Sequence, residues 1–122
     1  MRLHHVQVAC PRGGEGAARR FWGEGLGMAE LPKPAELAGR GGCWFRDGAA
    51  EIHVGVEEPF TPARKAHPAV LLDDVAALDA AGDRLAALGF EVSWVERHTF
   101  PGHERAHAFD AHGNRVELLA AV

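Results

Sequence analysis

Short stretches of alternating apolar and polar residues take turns along this chain with stretches where apolar residues recur every three or four positions. Residues 3–9 (Leu-His-His-Val-Gln-Val-Ala) are Val-rich and closed by Cys-Pro-Arg-Gly-Gly, which predicts a strand. Alternation puts His5, Gln7 and Ala9 on one face of it and His4, Val6 and Val8 on the other. Over residues 15–26, Ala18, Phe21, Trp22 and Gly25 fall at helical spacing, and Gly27 is placed to close that helix. Residues 28–31 predict a brief strand stopped by Pro32 and Pro34, and residues 36–42 a Gly-rich loop with room for one helical turn. Residues 43–46 and 50–56 predict two strands joined through Asp47-Gly48, a hairpin signal.

The second half repeats the order. Residues 57–65, with Pro59 and Pro62, read as a linker, and residues 67–72 as a strand. Val75, Leu78, Gly82, Leu85 and Leu88 then recur at helical spacing, with Asp73 or Asp74 as N-cap and Gly89 as the stop. Residues 91–95 predict a strand and residues 96–103 a polar loop. Residues 105–109 and 115–119 predict two strands around Asp110-Ala-His-Gly-Asn114, a turn sequence. The pattern is thus strand, helix, three strands, twice over, in an α+β chain. It divides into a first module at about residues 1–58, the linker at about 57–65, and a second module at about 66–122, within one domain. His5 precedes Gly27 by 22 residues and His67 precedes Gly89 by 22, while His5 precedes His53 by 48 and His67 precedes Glu117 by 50.

Composition narrows the classes. The 122 residues are 47% hydrophobic and 25% charged with a formal net charge of −4, so the chain carries no basic footprint for nucleic acid. No apolar run reaches the roughly 18 residues a membrane span needs. The first residues lack the apolar stretch of a signal peptide. The 2 Cys, Cys10 and Cys43, are too few for a disulfide framework and read as small buried hydrophobes. A cytoplasmic location is expected. Histidine is the outlier: there are 8, and no Tyr.

Four residues stand at matching ends of the two modules: His5, His53, His67 and Glu117, each on a predicted strand. His53 lies between Ile52 and Val54, and Glu117 between Val116 and Leu118, so the apolar neighbours face a core and the four polar side chains collect on the opposite face. A single histidine on a strand needs only a hydrogen bond. A face that gathers three imidazoles and a carboxylate needs a stronger reason, because unpaired buried polar groups are costly. One divalent metal ion (Zn, Ni, Co, Mn or Fe) supplies it, and positions remain for water or substrate. His107, between Ala106 and Ala108, is a candidate acid or base facing the same cavity. Arg64 and Lys65 are candidates for pairing an anionic substrate group, against the plainer reading of a solvated linker. One of Trp44 and Phe45 lines the pocket or both are core. His4, His98, His103 and His112 have no assigned role. The glycine-rich segments match no nucleotide-binding loop.

Several segments carry a resemblance: Leu3-His-His-Val-Gln-Val, Phe21-Trp22 with Gly25-Leu-Gly27-Met28, Trp44-Phe45-Arg46-Asp47-Gly48, Glu51-Ile-His53-Val-Gly55, His67-Pro-Ala-Val, and Asp110-Ala-His-Gly-Asn-Arg-Val-Glu117-Leu. Together and in this order they resemble the vicinal oxygen chelate superfamily, the glyoxalase, bleomycin-resistance and extradiol-dioxygenase group. The resemblance implies paired βαβββ modules that form a curled mixed sheet, a half-barrel around a divalent metal, with helices on the outer face. By position it implies metal ligands at His5, His53, His67 and Glu117. Members similar to glyoxalase I often carry glutamate where His53 stands, so this chain departs from that pattern. His5, His67 and Glu117 fit the two-His, one-Glu pattern of fosfomycin-resistance-like and dioxygenase-like members. The expectation is a metal-dependent enzyme acting on a small oxygen-bearing substrate, with Glu117 and His107 as catalytic candidates and a homodimer as the assembly. The alternatives are a non-catalytic protein that sequesters a bleomycin-type drug, and a metal-free domain with structural histidines.

Overall fold

A computed structural model describes all 122 residues. Two sheets of four strands repeat one strand order. β1 (Val6–Cys10), β2 (Ala29–Leu31), β3 (Cys43–Asp47) and β4 (Ala50–Val56) form the first, in the order β1-β4-β3-β2. β5 (Ala69–Leu72), β6 (Val92–Ser93), β7 (His103–Phe109) and β8 (Arg115–Ala121) form the second, in the order β5-β8-β7-β6. In each sheet the first strand runs parallel to the last and the remaining pairs are antiparallel. This is the duplicated βαβββ order that the sequence predicts. No helix is long and apolar enough to cross a membrane.

The predicted helix at residues 15–26 is α-helical only over α1 (Glu15–Ala18) and continues as a π-helix over Arg19–Gly25. The wider turn keeps Phe21, Trp22 and Gly25 on one buried side. A Cβ on Gly25 would collide with the Leu85 side chain, so glycine there permits close packing on the second helix. α2 (Ala35–Ala38) is the single turn allowed for in the β2–β3 loop. α3 (Val75–Ala87) is capped by Asp74, whose side chain accepts from the Ala77 N–H at 2.7 Å, and ends at Gly89 with φ +91°. Two of the strands that start later than predicted, β1 and β5, leave His5 and His67 just ahead of them instead of in them. At β5 the reason is Pro68, which has no N–H to give the ladder; its carbonyl accepts from the Glu117 N–H at 3.0 Å, and pairing starts at Ala69.

One core of 17 buried residues spans both modules. Ile52, Val54, Val116 and Leu118 are all in it, as the alternation requires, together with Phe45, Leu78, Leu85 and the first-helix aromatics. The Asp110–Asn114 turn joins the halves. Asn114 donates from Nδ2 to the Ala9 carbonyl of β1 at 2.7 Å and to Asp110 at 2.9 Å, and its Oδ1 accepts from the Ala63 N–H of the linker at 2.9 Å. His112 donates from Nε2 to the Gly14 carbonyl at 3.0 Å.

Cys10 and Cys43 are free and buried. Burial pushes both thiols up, Cys43 to about 11, and the carboxylate of Glu15 adds to the shift at Cys10. Neither is expected to react with a thiol reagent in the native protein at about pH 8, and both react once urea unfolds the chain. Rapid labelling of either native thiol would contradict the packing described here.

Candidate functional site

Adjacent antiparallel strands place residues directly opposite each other, and a one-residue step turns each side chain to the other face. On β7, Ala106 and Ala108 enter the core, so Arg105, His107 and Phe109 stand on the opposite face. On β8, Val116, Leu118 and Ala120 enter the core, so Arg115 and Glu117 share that opposite face. The register sets His107 directly across from Glu117. His67, just before β5, arrives from the other side of β8, because its successor but one, Ala69, pairs with Glu117.

Three donors converge as a result. Glu117 Oε2 lies 3.2 Å from His67 Nε2 and 3.7 Å from His107 Nε2, and the three ligand atoms all lie within 4.8 Å of one another. The other carboxylate oxygen, Oε1, accepts from Arg105 Nη1 at 3.2 Å. Arg105 is itself fixed by Glu96 at 2.6 Å and the Thr99 hydroxyl at 2.7 Å. His67 donates from Nδ1 to the carbonyls of Lys65 at 2.8 Å and Arg64 at 3.2 Å, which turns its Nε2 toward Glu117. Backbone acceptance at one imidazole nitrogen is how metal-binding histidines are commonly oriented.

The donor chemistry fits a divalent ion. Bonds of about 2.0–2.1 Å to a tetrahedral centre set donors about 3.3 Å apart, close to the observed separations from Oε2. Burial opposes the charge on Glu117, but hydrogen bonds from His67 and Arg105 and the nearby positive charge outweigh it and hold the carboxyl below its usual range. At His107 burial dominates and pushes the imidazole below its ordinary value, despite the carboxylate of Glu117. An ionised carboxylate and a neutral imidazole are the forms that bind a metal.

The other two expected ligands lie together at the first sheet, His53 on β4 and His5 just before β1. The His53 ring is sandwiched between Trp44 and His5, at 3.9 Å from each centroid. Its Nε2 bonds Glu51 at 2.9 Å, and Glu51 also binds Arg46 at 2.7 Å. The bond from His53, and then Arg46, lowers the Glu51 carboxyl to about 2. His5 is exposed and its Nδ1 lies 2.9 Å from that of His4. The structure therefore gathers His67 and Glu117 with His107, and His5 with His53, with the second pair outside the group of three donors. Trp44 faces the His53 side and Phe45 the core. His98 and His103 stand near the β6–β7 loop, His98 at 3.8 Å from Glu104. Sequence reasoning passed over Arg105, although its position two residues before His107 puts it on the same face.

The model of the Glyoxalase/Bleomycin resistance protein/Dioxygenase superfamily matches residues 2–118. Among curated proteins, none matches this chain. Among solved structures, one from Bacillus anthracis described as a glyoxalase family protein is 43% identical, with a TM-score of 0.89 over 100% of this chain and 96% of that one. The genomically encoded fosfomycin resistance protein FosX from Listeria monocytogenes shares the fold at 15% identity, with a TM-score of 0.77 over 100% of this chain and 94% of that one. Lactoylglutathione lyase from Agrobacterium tumefaciens shares it at 20% identity, with a TM-score of 0.66 over 94% of this chain and 91% of that one. A family match across nearly the whole length, on a fold of paired βαβββ modules, makes this chain a member of the glyoxalase/bleomycin resistance protein/dioxygenase superfamily.

Proposed function

We propose that this chain is a metal-dependent enzyme of the glyoxalase or dioxygenase type, acting on a small oxygen-bearing substrate at the β7–β8 face. The observation that carries this reading is the convergence of His67, His107 and Glu117, with one carboxylate oxygen turned to both imidazoles. His67 and Glu117 hold one divalent ion (Zn, Ni, Co, Mn or Fe), and His107 is the third donor. When bound, the metal supplies Lewis acidity that stabilises an oxyanion or enolate as its charge develops. The protein groups have distinct tasks. Arg105 keeps Glu117 ionised and reserves Oε1, leaving Oε2 as the oxygen that faces the site and can take a proton. The carbonyls of Lys65 and Arg64 hold His67 in register.

Three donors leave coordination positions open. His5 enters the proposal as a donor from a second copy, since it is exposed and lies outside the group of three donors in its own chain, while His53, buried between Trp44 and His5 and bonded to Glu51, supports His5 from behind. A homodimer is part of this reading. A second reading, binding of a small molecule without turnover, has one observation behind it: a cleft of about 200 Å³ between α2 and the first sheet, lined by Gln7, Lys33, Leu37, Arg40 and Trp44 among others, which could seat part of a ligand. The untagged protein, stripped and reloaded with each metal, separates the two when offered dicarbonyl–thiol adducts, catechols and bleomycin. The enzyme reading expects turnover of one substrate class that stops on chelation and returns with metal. Drug binding with no metal-dependent turnover would replace it with the second.

A further inference from the structure

Three arginines border the face that carries Glu117, and only one is neutralised. Arg105 is paired with Glu117 and Glu96. Arg115 lies two residues before Glu117 on β8 and therefore on the same face. Its backbone N–H donates to the Ala63 carbonyl at 2.9 Å, which ties the linker to the start of β8 and brings Arg64 alongside. Phe109 is directly across from Arg115 in the register, and both guanidinium groups approach its ring. The Arg64 guanidinium carbon is 5.0 Å from that ring's centroid, and the Arg115 carbon 6.0 Å. Arg64 also passes Gly113: a Cβ added there would stand 3.8 Å from its Nη2.

Neither guanidinium makes an ion pair or a side-chain hydrogen bond, and Arg115 Nε is buried with no partner at all. The ring face attracts both cations, but it offers no acceptor for their N–H groups. A buried donor without an acceptor costs free energy, and two cations sharing a ring repel each other. An oxyanion accepting from both removes both costs, through charge-assisted bonds.

We propose that Arg64 and Arg115 form an oxyanion-binding subsite at one end of the His67–His107–Glu117 face, and that it takes a carboxylate or phosphate-type group of the substrate. Assigning that anion to the substrate rests on the metal-site reading above; the subsite itself does not. Residues two apart on a strand are about 6.6 Å apart. The anionic group is therefore joined by a short chain to the oxygens that react near Glu117.

The test uses the metal-free full-length protein, with inorganic phosphate and acetate as separate probes. Binding is followed by the 15N–1H signal of the Arg115 Nε–H and by the shift in melting temperature. One probe is expected to move that signal with saturation. Arg64→Gln and Arg115→Gln should each weaken its binding about tenfold, with metal uptake unchanged. Phosphate alone saturating identifies a phosphate-type group, and acetate alone a carboxylate. Arg64 is exposed, so Arg64→Gln decides the matter even if the Arg115 variant does not fold. Unmoved signals, or equal binding in Arg64→Gln and the native protein, would overturn the subsite. Arg-dependent anion binding in a protein that takes up no metal would leave the subsite standing and remove only the metal reading. Metal uptake with Arg-independent anion binding would do the reverse.

Discussion

Glu117→Gln is expected to lower divalent-metal affinity on the order of a hundredfold or more while the fold stays intact. Losing a group that merely supports a ligand typically costs 10–100-fold, and Glu117 is proposed as the ligand itself. The amide matches the carboxylate in size and can still accept from Arg105 at the Oε1 position, 3.2 Å away. It no longer offers the negative oxygen that faces both imidazoles at 3.2 and 3.7 Å. Competition with a chelating dye measures the affinity, and circular dichroism checks the fold. Affinity within about threefold of native would mean that Glu117 serves only to pair Arg105 and His67.

Asn114→Ala is expected to destabilise the protein by about 3 kcal/mol, lowering the melting midpoint by about 10–15 °C. Asn114 is 2% exposed and its three side-chain hydrogen bonds reach β1, the linker and its own turn. Truncation leaves the Ala9 carbonyl and the Ala63 N–H without those partners, at about 1 kcal/mol or more for each buried group. Because these bonds hold the two modules together, differential scanning calorimetry should show the whole transition moving. A midpoint within a few degrees of native would show that the shared core alone joins the modules.

Much of the architecture was legible because the signals were local. The alternation around Ile52-His53-Val54 and Val116-Glu117-Leu118 sent the apolar residues to the core as expected. Gly27, Gly89 and the Asp73-Asp74 pair, of which Asp74 is the cap, marked helix ends through capping chemistry that needs only neighbouring residues. The π-helical turn at Arg19–Gly25 was not legible, because apolar residues at helical spacing do not distinguish it from an α-helix, and Gly25 packs against Leu85, 60 positions away in sequence. Of the site, His67 and Glu117 were found by their matching places in the duplicated module, and the structure sets them side by side. His107 was marked only as an acid or base. Its place beside Glu117 depends on the cross-strand register, which alternation along one strand does not specify. His5 and His53 fell at equivalent places in the first module. Spacing along one chain carries no information on which sheet faces which, and in the structure His5 stacks on His53, which in turn stacks on Trp44.

The central claim is that a divalent ion binds at His67, His107 and Glu117. Anomalous diffraction from crystals of the native chain, loaded with zinc or nickel and collected at that metal's absorption edge, tests it directly. One strong peak per chain is expected, bounded by His67 Nε2, His107 Nε2 and Glu117 Oε2. No peak there, or a peak only at the His4–His5 pair, would contradict it.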